Sequence, residues 1–501
     1  LRPPPDGDML VAANLVVTNV EGSQMKARIF AEENKKWWTL AAVSFGLFMI
    51  MLDNTVVNVA LPSIQKDLHM GISELEWIVT GYALTFAALM LTGGKLADSF
   101  GRRRVFVIGL AIFTLSSLLC GLAWSAHVLI GARVLQGIGA ALMNPASLSI
   151  VAATFPPRQR GMAIGIWAGV SAMALAIGPL VGGLLTEKVS WNWVFYVNVP
   201  VGILGVIASQ IFIDETRDTS HEQRLDIPGL VASALGLFAI TYALIESNTY
   251  GWTSVRILAL LAFGAFALVV FVLLERHQRL PMLDLSLFRN PTFAGANVIA
   301  MLVSLAMFGV FFFVSLYIQQ VLGWSPIQAG GAFLPMTCLI ILIAPLAGRF
   351  SDRIGSRWLM GSGMTLVAIS LYIYSRLQVD SNFWTLLPAM LTGGVGMALT
   401  MTPMTSAAMG SVPVDKAGVG SGVLNSFRQA GGSLGIAVMG AILAQYVGHA
   451  GPASPAEFVN GLHHALRISA LIALLAAVIA VVTIRKVRSP EAAVQALAEA
   501  A

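Results

Sequence analysis

The sequence predicts an all-α membrane protein, and three observations carry that prediction. Hydrophobic residues fill 57% of the 501 positions and charged residues 11%, where a water-soluble chain spends about a quarter on charge. The apolar residues come in runs of roughly twenty or more, the length a helix needs to cross about 30 Å of hydrocarbon. A short polar hinge, Gly94-Lys95-Leu96-Ala97-Asp98-Ser99-Phe100-Gly101-Arg102-Arg103-Arg104, recurs as Gly348-Arg349-Phe350-Ser351-Asp352-Arg353-Ile354-Gly355-Ser356-Arg357, Asp98 answering to Asp352 at an offset of 254 residues. The chain reads as two related halves.

Residues 1–36 contain Pro3-Pro4-Pro5 and no long apolar run, so they read as a tail with a short amphipathic helix near Lys26 to Lys35. Fourteen spans follow, at 38–60, 76–96, 104–124, 127–152, 161–185, 193–213, 227–246, 255–275, 293–319, 327–348, 358–376, 383–403, 418–445 and 463–484. An even number returns both termini to one side. The net charge of +5 first suggests an anionic partner, but the cations are placed by topology. Only Lys66, Lys188, Arg256, Arg376 and Arg467 fall in loops opposite the termini, so the positive-inside rule puts both ends in the cytoplasm. No nucleic-acid partner is expected.

Six spans and their loops need about 200 residues at these span lengths, so an offset of 254 leaves room for two more. The spans at 227–246 and 255–275 fill it, dividing the chain into a tail (1–36), a six-helix half (37–214), an inserted pair with its linker (215–280), a second half (281–485) and a tail (486–501). A second echo supports duplication, since Gly161 and Gly165 recur as Gly418 and Gly422 at an offset of 257. Two repeats meeting around a cavity is the usual build of a secondary transporter.

In the hinge, Asp98 is placed to meet the positive end of a neighbouring helix while the arginines pair with other loops. Gly94 and Gly101 allow close approach and a tight turn. An ordinary basic loop is the plainer reading, and the second copy argues against it. The hinge resembles motif A of the major facilitator superfamily. Leu52-Asp53-Asn54-Thr55-Val56-Val57-Asn58-Val59-Ala60-Leu61-Pro62 resembles the first-helix motif of the fourteen-span drug:proton antiporter family within it. Ile130-Gly131-Ala132-Arg133-Val134-Leu135-Gln136-Gly137-Ile138-Gly139 resembles motif B, and the stretch from Gly165 to Gly178-Pro179-Leu180-Val181-Gly182-Gly183 resembles the antiporter motif C. The resemblance spans residues 37–485. It departs at Ser99, where motif A commonly has a basic residue, and at Ala174, where motif C commonly has glycine. It implies the major facilitator fold and export of lipophilic or amphipathic drugs in exchange for protons.

Asp53 reads as the only carboxylate well inside a span, apart from Glu246 at a span end. A charge there is costly, and by default it marks a functional position. A helix-packing role, with Asn54, Thr55 or Asn58 as partner, is the alternative. Arg133 and Arg428 are the two intramembrane cations, and both are expected to be paired. Gln136, three residues beyond Arg133, shares its helical face. The resemblance assigns Arg133 to proton coupling and groups Asp53, Asn58, Arg133, Gln136 and Arg428 as proton or substrate residues. It makes Gly94, Asp98, Gly101, Arg102, Arg103 and Asp352 a conformational clamp. Gly165, Gly178, Pro179, Gly182 and Gly183 then form a close-packing helix suited to sealing one side. A tie between spans remains the alternative for either arginine, and plain packing for the glycines.

No phosphate-cradling Gly-x-x-x-x-Gly-Lys-Ser/Thr segment is present, and neither an enzyme signature nor a metal or other cofactor is expected. The expected partners are a small-molecule substrate, protons and the lipid bilayer. A periplasmic adaptor protein is a further candidate, and the chain is expected to work as a monomer in a bacterial inner membrane. A carrier dedicated to one metabolite and a transport-inactive sensor are the rival readings.

Overall fold

The computed structural model describes residues 32–217, 226–278, 281, 283–412, 417–446 and 454–485. Most of the amphipathic stretch near Lys26 lies outside them. Every regular element among the described residues is helical: α1 (Glu32–Leu68), α2 (Ile72–Phe100), α3 (Arg102–Gly121), α4 (Ala126–Thr154), α5 (Pro157–Lys188), the one-turn α6 (Trp193–Tyr196), α7 (Asn198–Phe212), α8 (Ile227–Tyr250) and α9 (Val255–His277) come first. Then follow α10 (Pro291–Leu316), the short α11 (Pro326–Ala332), α12 (Leu334–Ile354), α13 (Ser356–Tyr374), α14 (Phe383–Gly410), α15 (Ala417–Ala444) and α16 (Pro455–Thr483). Twelve stretches among the described residues are long and apolar enough to cross a membrane. The other two predicted spans, 161–185 and 358–376, are occupied by α5 and α13, helices of 32 and 19 residues.

The helices begin where short polar side chains satisfy the free backbone N–H groups of a first turn. Ser125, Asp226, Ser254 and Asn290 accept from the first turns of α4, α8, α9 and α10, and Ser325, Asn382 and Ser454 do so with reciprocal bonds back from Gln328, Thr385 and Glu457. At the two hinges the chain turns differently. Gly101 (φ +112°) and Gly355 (φ +96°) both break a helix with a backbone L-residues avoid, and each donates its N–H to the carbonyl four residues back, Ala97 or Ser351. The duplication seen in the letters is thus repeated in the backbone.

Helices α1 to α7 pack on one another, as do α10 to α16, and α8 pairs with α9 while resting on α2 and α15. The two groups touch chiefly through α2 with α15 and α5 with α11 and α12, and also through α1 with α10 and α11. Helix ends at Lys35, the hinges, Asp214 and Arg485 define a hinge end; the opposite one is the far end. Hydrogen bonds joining α1 and α5 to the second group gather at the far end. There Ser315 Oγ donates to the Asn58 carbonyl (3.0 Å), Gln319 Nε2 to the Val59 carbonyl (3.0 Å) and Gln320 Nε2 to Gln65 Oε1 (2.6 Å). Both glutamines sit on a wide π-type turn, Tyr317–Val321, that ends α10. Such turns add a residue to the helix and re-aim its side chains.

Candidate functional site

A knot of polar groups is buried within the first group of helices. Asp53 of α1 and Arg133 of α4 are 0% and 1% exposed. Arg133 Nη1 donates to Asp53 Oδ2 (2.5 Å) and Gln136 Oε1 (2.6 Å), and its Nε donates to the Ile78 carbonyl of α2 (3.0 Å). Gln136 Nε2 divides its two hydrogens between Asp53 Oδ1 and Ser117 Oγ, both at 3.0 Å. Asn198, the first residue of α7, does the same at 3.4 and 2.9 Å, and Ser117 passes its own hydrogen to the Phe195 carbonyl. The guanidinium lies 4.2 Å from the Tyr82 ring centre, a cation–π contact in a dry setting. The charges are out of water, so only geometry of this quality offsets their desolvation. The structure thus brings Asp53, Arg133 and Gln136 into contact.

Asn54, Thr55 and Asn58 follow Asp53 on α1, but about 100° of rotation per residue points them elsewhere. They line a cavity of about 230 Å³ between the two groups, with Met51, Phe86, Asn144, Met307, Phe308, Phe311, Met401 and Arg428 among its walls. Asp53 is not part of that lining. Arg428 departs from the expected pairing. Its Nη1 reaches Asn425 Oδ1 at 3.3 Å, one turn back on α15, and its Nε finds no acceptor among the described residues.

At the hinge the acid that meets a helix start is Glu215, not Asp98. Glu215 accepts from the backbone N–H groups of Arg103 and Arg104 at the start of α3 (3.1 and 3.2 Å), the position where a helix favours negative charge. Asp98 instead pairs with Arg102, one turn along (2.9 Å), and Arg103 reaches the Ile213 carbonyl. Lys95 donates to the Pro281 carbonyl, between α9 and α10, and Ser99 bonds back to the Lys95 carbonyl. A side chain on Gly94 would meet Pro145 only at ordinary contact distance. The side chain of Asp352 lies outside the described residues.

Of the expected sealing glycines, three are tightly packed. A side chain on Gly178 would strike Thr55, and one on Gly182 the Val56 carbonyl, so α5 lies directly on α1. Gly183 faces the other group: a Cβ there would collide with the Pro326 carbonyl of α11. Conversely, one on Gly330 of α11 would collide with the Pro179 carbonyl of α5. Glu187, at the end of the same helix, accepts from the Ile327 N–H (3.1 Å); the Ser325 hydroxyl and then this backbone bond hold its carboxyl below the usual range. Gly165 does not belong to this set, since nothing among the described residues lies within 4 Å of the place its Cβ would take.

Asp53 is not alone as a deep carboxylate. Helix α2 starts at Ile72, before the predicted boundary, and this places Glu76 a turn inside it with 3% exposure. It lies against Gly440 of α15, where a Cβ would overlap Glu76 Oε1, with Glu246 of α8 in electrostatic reach. The signal was the preceding Gly71, whose N–H is taken by Glu74: the cap at Gly71 makes Glu76 helical.

Membrane-length helices packed in two groups about one apolar cavity, with a charge knot beside it, define a multi-pass membrane carrier. The chain belongs to the Major Facilitator Superfamily, whose family model matches residues 43–436 and again 298–500. It is 37% identical over 423 residues, 84% of this chain and 79% of the relative, to the tetracenomycin C resistance and export protein of Streptomyces glaucescens. It is 37% identical over 410 residues, 82% and 76% of the two chains, to the multidrug resistance protein Stp of Mycobacterium tuberculosis. Among solved structures it is similar in fold to a bacterial homologue of the human lysosomal transporter Spinster, at TM-score 0.64, 19% identity, and 92% and 100% coverage of the two chains. The family points to transport rather than catalysis.

Proposed function

We propose that this chain is a proton-coupled efflux antiporter of the fourteen-span drug-resistance type, exporting lipophilic or amphipathic compounds by alternating access. It sits in the cell membrane with both termini cytoplasmic, as two six-helix halves (37–214 and 281–485) separated by the inserted pair, and works as a monomer. The observation that carries the reading is the buried Asp53–Arg133–Gln136 knot one residue away from the cavity wall at Asn54. A proton taken by Asp53 from outside weakens its bond to Arg133, α1 resettles, and the substrate site on its other face changes with it. Arg133 then drives the proton off toward the inside. The export and multidrug-resistance relatives support the direction of transport.

The test is proton-driven export in everted vesicles from cells carrying the wild-type chain or Asp53→Asn. The expected result is that compounds which collapse the pH gradient with the wild type no longer do so with the variant, although both reach the membrane. Unaltered export by Asp53→Asn would rule Asp53 out as the coupling site. The second reading is a carrier dedicated to a single metabolite, favoured by the relative named for tetracenomycin C; resistance of expressing cells to one compound alone separates it from multidrug export.

A further inference from the structure

Among the described residues that line it, the cavity between the two groups holds one charge, and it is positive. Arg428 is the only ionisable side chain among the described residues that line it. The deepest neighbouring acid, Asp53, points away and is held by Arg133. A guanidinium carries five N–H donors in a fixed fork. Here one contact, the 3.3 Å bond to Asn425, is made within its own helix, and Nε has no acceptor among the described residues. Around it the wall is largely methionine and phenylalanine, with Met307, Phe308, Phe311 and Met401 in place, side chains that adapt to varied apolar bodies. In so apolar a chamber an under-used guanidinium attracts an organic anion and repels an ammonium far more than it would in water.

We propose that this cavity selects amphipathic acids, seating an aromatic body against Met307, Phe308 and Met401 with an ionised carboxylate or sulfonate on the Arg428 fork. The assignment rests on the cavity being the carrier's substrate site and adds the charge of the substrate. Asn54, Asn58 and Asn144 line the same space and offer donors and acceptors to hydroxyl or keto groups on that body. A compound with a basic amine instead places a like charge beside Arg428 in a poorly screened site.

Three probes that share one pyrene body test this: 1-pyrenebutyric acid, its methyl ester and 1-pyrenebutylamine, titrated by fluorescence against the whole chain in nanodiscs with empty nanodiscs as blank. The acid is expected to bind the wild type at least about tenfold more tightly than the amine. Arg428→Lys should keep the preference for the acid, and Arg428→Gln should lower the acid-to-ester affinity ratio by about tenfold or more. An amine that binds as well as the acid would overturn the proposal, as would a failure of all three probes to bind. So would an Arg428→Gln protein that weakens the three probes equally, which would make the arginine structural. The wild-type comparison needs no variant to fold. Binding is read at rest, so loss of acid selectivity and loss of proton exchange in vesicles are separate results.

Discussion

Gly183→Ala is expected to open the far end of the carrier without unfolding it. In the structure α5 and α11 cross so closely that Gly183 faces the Pro326 carbonyl while Gly330 faces the Pro179 carbonyl. The added methyl has no flexible side chain to push aside, only backbone, and forced overpacking of this kind costs about 1–3 kcal/mol. The contact joins the two groups, so the cost falls on the state in which the far end is closed. A bias of that size shifts a two-state equilibrium by roughly 5–150-fold. Spin labels at Lys66 and Val379, both exposed and on opposite groups at the far end, report the change in a background with Cys120 and Cys338 replaced. The wild type should give a short distance, and Gly183→Ala a substantial longer population. Gly178→Ala is the control, because its methyl meets Thr55 within the first group and should not move the labels. An unchanged distance distribution in Gly183→Ala, together with a thermal stability lowered as much as in Gly178→Ala, would show that the crossing is packing common to all states.

Gln136→Leu removes the hydrogen bonds that Gln136 shares with Arg133, Asp53, Ser117 and Cys120 and leaves a buried ion pair under-satisfied. Bonds to charged groups are worth about 1.5–3 kcal/mol each, so thermal unfolding in detergent should drop clearly, and a variant as stable as wild type would contradict the described network. Gly101→Ala should lower stability by about 1–3 kcal/mol, because φ is +112° and the new Cβ would lie 2.5 Å from Glu215 Oε1; the unfolding midpoint of the purified protein checks it. Asp98→Asn breaks only a partly exposed pair one turn long, worth about 0–1 kcal/mol. Stability should hold and turnover in vesicles should fall more than substrate affinity, as expected of a contact made in another state; lost affinity with normal cycling would refute that division.

How much of this was legible in the sequence varies with how local the determinant is. The Asp53, Arg133 and Gln136 cluster was legible because an isolated charge in an apolar run has to find a partner, and residues three apart share a face. Ser117 and Asn198, which complete the knot, were not, because each is one common polar residue contributed by a separate helix. Glu76 was hidden by a boundary, since a start drawn at residue 76 reads it as interfacial when the helix begins at Ile72. The hinge turn was legible from Gly101 and its copy Gly355, but the partner of α3 was not. Glu215 lies more than a hundred residues away in the chain and reaches Arg103 and Arg104 through the fold alone. The pairing of Arg428 was expected from the cost of a buried charge, and that reasoning overlooked that a cavity is also an acceptable surrounding.

Helix α1 ties these parts together, and under the antiport reading its geometry lets one element handle proton and substrate without sharing a residue. Asp53 is turned toward α4, Asn54 and Asn58 toward the cavity, and Val56 lies under Gly182 of α5. One turn of helix therefore contacts the ion pair, the cavity and the helix that crosses α11. Packed interiors move between discrete arrangements rather than deforming smoothly. Under the antiport reading, a change at the Asp53–Arg133 bond is passed on as a shift of the whole turn, which alters the cavity wall and the seat of α5 together. Under the antiport reading this is the advantage of keeping Asp53 out of the cavity. A carboxylate exposed there would bind substrate cations directly, whereas one buried behind the wall answers to the proton and to Arg133, and influences the substrate through the position of α1.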